Sequence, residues 1–358
     1  MMKEAGFFKR AVDRYFIEGL SGMALGLFST LIVGLIIKQI GSGIGGQFGA
    51  VLLQIGSIAL VSTGVGIGVG VAHKLKAPNL VIYASAVTGL FGAYAGKILT
   101  GSVLAGRAVP LAGPGEPLGA FLAALAGIEV GRLISGRTKL DIVVTPMATL
   151  ITGGVVGLLI GPPISKFMGS LGDIIIFATT QRPFTMGMII SVLMGIFLTL
   201  PISSAAISII LGLKGLAAGA ATAGCAANMV GFAVASYREN KVNGLFAQGL
   251  GTSMLQMPNI VRNPRIWIPA IVASAITGPL STVVFTMKNN PYGGGMGTSG
   301  LVGQIMTWQT MVGSGSQSVL LMKIAVMHFL LPAAIAFGVS EYLRRIGWIK
   351  AGDMNLSS

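Results

Sequence analysis

The protein has 358 residues, of which 53% are hydrophobic and only 9% are charged. Soluble globular domains carry about 25% charged residues, so this chain lacks the polar surface that a water-soluble protein of its size needs. The formal net charge is +14, but the basic residues stand in short loops between apolar runs, without the basic and aromatic stripe typical of nucleic-acid binding. Composition therefore predicts an integral membrane protein and argues against nucleic acid as a partner.

Apolar runs recur along the chain at the length of about 20 residues that crosses a bilayer as a helix. We predict about ten transmembrane helices, near residues 19–37, 47–72, 79–97, 117–135, 142–162, 168–181, 184–212, 215–237, 266–287 and 319–342. The segment at 168–181 is short and contains Asp173, and whether it crosses the membrane is left open. The predicted fold class is an all-α integral membrane protein.

The distribution of Lys and Arg predicts the topology. With ten spans and a cytosolic N-terminus, most basic residues fall in cytosolic loops, as the positive-inside rule requires, and both termini lie in the cytosol. Residues 1–18 are charged and amphipathic, and we expect a cytosolic helix along the membrane with Phe7, Phe8 and Phe16 toward lipid. Residues 19–342 then form a single transmembrane domain, and residues 343–358 form a cytosolic tail.

Two stretches do not fit as full spans. Residues 244–260 are apolar but too short and too polar to cross, and basic segments flank them. Residues 291–312 are rich in glycine and amide side chains and contain no charge. We predict that both are re-entrant hairpins, the first entering from the cytosol and the second from outside.

The two predicted hairpins share a signature, GLGTS at residues 249–253 and GMGTS at residues 295–299, each followed by a glutamine. Gly-x-Gly breaks a helix and lets the backbone approach a ligand. Thr and Ser can then cap a half-helix whose free N–H groups suit an anion or sugar hydroxyls, and two such tips would meet near the membrane midplane. The alternative is that the glycines only permit tight packing and the hydroxyls bond to carbonyl groups.

Polar side chains inside membrane segments are costly, so each is a candidate for function. The candidate substrate-binding residues are Glu129, Asn228, Gln248, Thr252, Ser253, Gln256, Thr298, Ser299 and Gln304. For Glu129 the alternative is a structural ion pair with Arg132, which lies three residues on and on the same helical face. For Asn228 the alternative is a hydrogen bond across a helix interface.

Catalytic and metal chemistry is not indicated. Cys225 is the single cysteine and is typical of a small buried residue, while His73 and His328 have no carboxylate or cysteine near them in the sequence. We therefore predict no catalytic residue, no metal and no cofactor. The glycine run at residues 64–70 lies within a predicted span and lacks the strand-to-helix context of a nucleotide loop, so it indicates close helix packing.

The chain is rich in glycine and combines about ten predicted spans with two predicted re-entrant hairpins. It also contains the stretches TPMATLITGG (145–154), GLGTSMLQMPNI (249–260) and NNPYGGGMGTSGLVG (289–303). With these features the sequence resembles the IIC-type membrane subunits of the bacterial phosphotransferase system, and in particular the stand-alone branch that includes perfringolysin O regulators. The resemblance covers residues 10 to 345. The predicted fold is therefore IIC-transporter-like.

The resemblance implies a sugar permease of the bacterial plasma membrane, built as a homodimer, in which an elevator-like movement carries the substrate. It also implies that a buried Glu and residues at the hairpin tips contact the sugar. Residues 113–117, Gly-Pro-Gly-Glu-Pro, resemble the family's Gly-Ile-Thr-Glu-Pro box at their ends but not in the middle, so that box's role is not transferred to Glu116. The sequence contains no recognisable IIA or IIB phosphotransfer domain, so we expect either that the phosphoryl donors are separate proteins, or that the protein transports without phosphorylation, or that it senses rather than transports.

These observations predict a IIC-like transporter of a small polar solute, with a carbohydrate as one candidate class, that works by alternating access without phosphotransfer domains of its own. The alternative is a membrane-embedded ligand sensor that regulates gene expression through a protein partner. An enzyme is not indicated, because no nucleophile–base pair or metal-ligand cluster emerges from the sequence. The expected partners are the solute, membrane lipid, a second copy of the chain and separate phosphotransferase proteins.

Overall fold

The computed structural model describes residues 13–314 and 316–356. Helices make up its regular structure, and the described residues contain no β-strand beyond one isolated bridge between Gly215 and Asn289. The predicted all-α class is confirmed. The chain divides into two compact units, Met1–Gly169 and Ser170–Ser358. Most of the predicted N-terminal helix, with Phe7 and Phe8, lies outside the described residues.

The first unit contains five helices and the start of a sixth. They are α1 (Ile17–Ile44), α2 (Gly46–Val61), α3 (Thr63–Lys74), α4 (Asn79–Val103), α5 (Pro117–Ile134) and α6 (Asp141–Thr179). Helices α2 and α3 are bent by 53° with respect to each other. The span predicted at residues 47–72 is therefore bent at Ser62, where the chain leaves the helical conformation with φ −78° and ψ 8°.

Glycines hold α1 and α3 in close contact. A Cβ atom built on Gly22 would lie 2.4 Å from the carbonyl oxygen of Gly70, and one built on Gly26 would lie 2.0 Å from that of Gly66. No larger side chain fits at these distances, and small residues are the usual means of bringing membrane helices together. The packing role predicted for the glycine run at residues 64–70 is confirmed.

Helix α6 is longer than predicted. The segments predicted at 142–162 and 168–181 form one helix of 39 residues, with Pro162 and Pro163 inside it, so the predicted break between them is wrong. A proline removes the hydrogen bond to the turn before it but does not prevent the next turn from forming. At 1.5 Å per residue the helix is about 58 Å long, which exceeds the roughly 30 Å of a hydrocarbon core.

The second unit is built around a central helix. Its elements are α7 (Pro183–Thr199), α8 (Ser204–Ile210), α9 (Gly215–Ala235), α10 (Tyr237–Phe246), α11 (Met257–Arg262), α12 (Pro264–Val284), α13 (Pro291–Gly294), α14 (Val302–Met311) and α15 (Gln317–Arg345). Nearly every residue of α9 is buried. A Cβ atom on Gly224 would lie 1.9 Å from the carbonyl oxygen of Ser191, so glycine permits the approach of α7 to α9.

The span predicted at residues 184–212 is wrong as a single helix. Helix α7 ends at Thr199 and α8 begins at Ser204. Leu200 is extended, with φ −71° and ψ 160°, because the ring of Pro201 excludes the helical conformation from the residue before it.

The described chain has seven helices that are long and apolar enough to cross a membrane, or eight if α2 and α3 form one span. Helix α7 is a shorter apolar helix. These helices and the family reported below establish a multi-pass membrane protein. The predicted count of about ten spans stays a prediction.

Candidate functional site

The first GxGTS signature lies at a break in the helical chain. We call residues 244–260 the first motif segment. Helix α10 ends at Phe246, a π-helical turn follows at Ala247–Gly251, and Thr252 is extended, with φ −157° and ψ 141°. The Thr252 hydroxyl accepts a hydrogen bond from the Met254 N–H at 3.1 Å. Thr252 therefore caps the short 3₁₀ helix that follows, as the motif predicts.

The second signature folds differently. We call residues 291–312 the second motif segment. It begins with α13, which Asn290 caps by accepting hydrogen bonds from the Tyr292 and Gly293 N–H groups. Thr298 and Ser299 do not cap α14, so the predicted capping role is wrong at this motif. The reason is the left-handed backbone at Leu301, with φ +59°, which separates the motif from the first residue of α14.

The two motif segments contact each other. The Thr298 hydroxyl donates a hydrogen bond to the carbonyl oxygen of Gly249, which joins the second signature to the first. Gly297 has φ +53°, and a Cβ atom there would lie 2.7 Å from the carbonyl carbon of Cys225. Glycine is therefore required for this approach to α9. The membrane depth and the re-entrant path of the segments stay predictions.

Asn228 forms hydrogen bonds that connect α7, α9 and α12 next to the first motif segment. It is fully buried, its amide nitrogen donates to the Ser274 hydroxyl at 2.9 Å, and its amide oxygen accepts from Trp267 at 2.9 Å and from Thr199 at 3.2 Å. Thr199 also lies 2.7 Å, hydroxyl to hydroxyl, from Ser253 of the motif. The hydrogen-bonding capacity of Asn228 is thus used between helices, which is the interface role considered for it above.

The amide side chains of the first motif segment form a hydrogen-bonded network. Gln256 donates to the Gln248 amide oxygen at 2.9 Å, and Asn259 donates to the Gln256 amide oxygen at 2.8 Å. Gln248 in turn donates to the Ser236 hydroxyl at 2.8 Å. All of these side chains are buried. Their polar atoms therefore bind one another.

The C-terminal tail accepts further hydrogen bonds from this network. Gln256 and Asn240 donate to the Met354 carbonyl oxygen at 2.9 and 2.8 Å, and Asn259 donates to the Asn355 carbonyl oxygen at 2.9 Å. The Met354 side chain is fully buried. The tail, predicted only as a cytosolic extension, is thus a packed part of the second unit.

The second motif segment and two residues outside it, Ser208 and His328, have buried polar atoms without hydrogen-bond partners. Among the described residues, the hydroxyls of Ser299 and Ser208, the amide oxygen of Gln304 and the Nε2 atom of His328 are buried without a hydrogen-bond partner. Ser208 lies beside Gly294, where an added Cβ atom would be 2.5 Å from its hydroxyl. Gln304 and His328 contact each other, with 3.1 Å between the amide nitrogen of Gln304 and the Nδ1 atom of His328. A buried polar atom without a partner costs about 1–3 kcal/mol, so these atoms are candidates for contact with a ligand.

Glu129 belongs to the first unit, whereas the other predicted site residues belong to the second. Its carboxylate pairs with Arg14 at 2.7 Å, and both side chains are about one-third exposed. Arg132 instead donates to the Leu75 carbonyl oxygen at 2.8 Å, at the end of α3. The alternative of a Glu129–Arg132 pair is therefore wrong. The ion pair is with a residue distant in sequence.

Sequence reasoning did not select His328, Thr199 or Trp267 as site or network residues. His328 and Gln304 are 24 residues apart, and their contact follows from the packing of α14 against α15. The available signal was a histidine within an apolar span. The described residues contain no cluster of three or more His, Cys, Asp or Glu side chains that could hold a metal ion.

Comparison with known proteins identifies the chain's relatives at the level of a family. The family model described as "Phosphotransferase system, EIIC" matches residues 17–356, which is nearly the whole chain. A comparison with the curated proteins finds no match.

Proposed function

The chain belongs to the phosphotransferase system EIIC family, and we propose that it is a sugar permease whose substrate binds at the second motif segment. The family is that of the membrane permease component of sugar transport, and it implies a sugar substrate. The observation that carries the proposed site is that the Ser299 hydroxyl and the Gln304 amide oxygen of this segment are buried without a hydrogen-bond partner, as is the Ser208 hydroxyl beside Gly294.

The chemistry of these residues suits a neutral sugar. Residues 291–312 contain no Asp, Glu, Lys or Arg, and the unpartnered groups are hydroxyls and an amide oxygen. Hydroxyls both donate and accept hydrogen bonds, so they match the hydroxyl groups of a sugar. An anionic solute would require a compensating positive charge at a buried site.

The proposal narrows the set of predicted binding residues. Asn228, Gln248 and Gln256 have their polar atoms bonded within the protein, and Glu129 is paired with Arg14. We therefore assign substrate contact to Ser299 and Gln304, with Thr298 holding the second signature against the first. The proposal also includes transport by alternating access and a homodimeric assembly. It places the protein in a bacterial plasma membrane with both termini in the cytosol, and it assigns phosphoryl donation to separate proteins.

A binding screen followed by an uptake assay tests the proposed function. The purified full chain is screened by thermal unfolding against neutral hexoses, hexitols and disaccharides, with sugar acids and sugar phosphates as the charged comparison. A ligand of the folded state raises the unfolding temperature by mass action, and we expect at least one neutral sugar to do so. Stabilisation by charged compounds alone would contradict the proposed site.

Uptake into proteoliposomes then distinguishes the permease from the sensor alternative. The permease accumulates or equilibrates the radiolabelled sugar found in the screen, and Ser299→Ala slows its uptake. The matched control is Ser253→Ala, at the same position of the first signature. Binding without any uptake would favour the membrane-embedded sensor and would overturn the permease assignment.

A further inference from the structure

Gln304 of α14 and His328 of α15 form a polar pair inside an apolar part of the second unit. His328 is completely buried, and Gln304 is 8% exposed. Next to His328, Met327 belongs to a core cluster of buried apolar side chains, which are Met287, Met311, Leu320, Ile324 and Met327. The polar atoms of the pair are thus remote from bulk water, where each needs a hydrogen-bond partner.

The contact between the two side chains satisfies only half of their polar atoms. The Gln304 amide nitrogen lies 3.1 Å from His328 Nδ1, and it donates because an amide nitrogen has no acceptor site. Nδ1 then accepts, and the imidazole proton is on Nε2. The Nε2–H donor and the Gln304 amide oxygen are left without partners. If the amide is rotated by 180°, the roles exchange, and one donor and one acceptor again remain.

His328 also lies where the backbone departs from a regular α-helix. Residues Val326–Leu330 form a π-helical turn within α15, and both Met327 and His328 of that turn are buried. A π-turn inserts one residue into the helix and is frequent at functional sites.

We propose that His328 contacts the transported solute, and that with Gln304 it binds hydroxyl groups of a neutral sugar. One donor and one acceptor on adjacent side chains are the complement of hydroxyl groups, each of which both donates and accepts. This inference rests on the proposed function, because it places the site of that function against the last long helix. It adds a specificity-determining residue outside both motif segments.

A metal ion is not the ligand that this pair favours, because the described residues include no set of three His, Cys, Asp or Glu side chains around it. An ordered water molecule could satisfy the same two atoms. The experiment must therefore separate a sugar hydroxyl from a permanently bound water.

Nuclear magnetic resonance of the imidazole makes that separation. The chain has two histidines, so in full-length His73→Gln protein His328 is the single source of an imidazole signal. The sample is labelled with ¹⁵N-histidine and titrated with the neutral sugar found in the thermal screen. We expect the Nε2 resonance of His328 to shift in step with saturation. Sugar binding with an unchanged Nε2 resonance would mean a structural or water-bound histidine and would overturn the inference.

Affinity measurements on His328 variants supply the second arm. Loss of one neutral hydrogen bond to the sugar corresponds to about tenfold weaker binding, which we expect for His328→Phe. His328→Gln keeps a donor and an acceptor and should recover part of the loss. Unchanged sugar affinity in both variants would overturn the inference, and if His328→Phe does not fold, His328→Gln and the resonance titration decide.

The two proposals fail in different ways. If no sugar of the screen binds the unmodified chain, the permease assignment fails and this inference fails with it. If a sugar binds and is transported but neither the resonance nor the affinity responds to His328, only the inference fails.

Discussion

The two motif segments of the second unit carry nearly the same five residues, yet their polar groups have different partners. In residues 244–260, Ser253 contacts Thr199, and the amides form a chain that ends on the C-terminal tail. In residues 291–312, Ser299 and the oxygen of Gln304 have no partner among the described residues. The serine of the signature thus contacts another hydroxyl at one segment and has no hydrogen-bond partner among the described residues at the other.

This difference shows that a repeated motif does not have to repeat a role. Buried polar groups that are fully hydrogen-bonded stabilise one arrangement of a core, which describes the first segment as an anchor. Groups without a partner are costly to the free protein, which makes those of the second segment the candidates for contact with the proposed substrate. Each prediction below tests one side of this comparison.

Removal of the tail has the largest expected effect. Truncation after Gly352 removes the buried side chain of Met354 and leaves the amides of Asn240, Gln256 and Asn259 without their carbonyl partners. Burial of such a side chain contributes about 2 kcal/mol and each of these three hydrogen bonds about 1 kcal/mol, so we expect a loss of about 5 kcal/mol in the free energy of unfolding. Denaturant unfolding measures it, with the exposed-residue variant Lys350→Ala as the control. An equally stable truncated chain would contradict the anchoring role.

Alanine at the first glycine of each signature gives the next largest effect. A Cβ atom on Gly295 would lie 2.3 Å from the carbonyl oxygen of Ser204, whereas one on Gly249 meets nothing closer than the Ala233 Cβ at 3.5 Å. Overpacking against backbone costs about 3 kcal/mol, and we expect this loss for Gly295→Ala. Gly249→Ala should change the free energy of unfolding by less than about 1 kcal/mol. Equal losses in the two variants would refute the difference in packing.

The serines of the two signatures should separate on stability. Ser253→Ala removes the hydroxyl contact with Thr199 and should lower the free energy of unfolding by about 1 kcal/mol. Ser299→Ala removes a hydroxyl that has no partner among the described residues, so the ligand-free protein should be as stable as the parent or slightly more stable. Thermal unfolding without sugar compares the two variants directly. A larger loss for Ser299→Ala would show that this hydroxyl has a structural partner.

Much of the helical layout could be predicted from hydropathy. The spans predicted at 117–135, 215–237 and 266–287 correspond to α5, α9 and α12 within a few residues. Errors arose where hydropathy and helix continuity differ. Pro201 ends a helix inside an apolar run, while α6 continues through Pro162 and the polar residues that follow.

The site could be predicted only in part, because its residues meet through tertiary packing. The signature located both motif segments and their glutamines, and the contact of Thr298 with Gly249 joins residues 49 positions apart. Local spacing pointed to Arg132 as the partner of Glu129, but Arg14 lies 115 residues away and holds the carboxylate. His328 gave no local pattern, because its partner comes from another helix.

The most direct test of the central claim compares sugar affinity in Gln304→Ala and Gln256→Ala, the glutamines that follow the two signatures. Isothermal titration of each folded variant with the sugar found in the screen should give about tenfold weaker binding for Gln304→Ala. Gln256→Ala should bind as the parent does, with its loss confined to unfolding. The opposite ranking, or equal losses of affinity in both variants, would contradict the assignment of the substrate to the second motif segment.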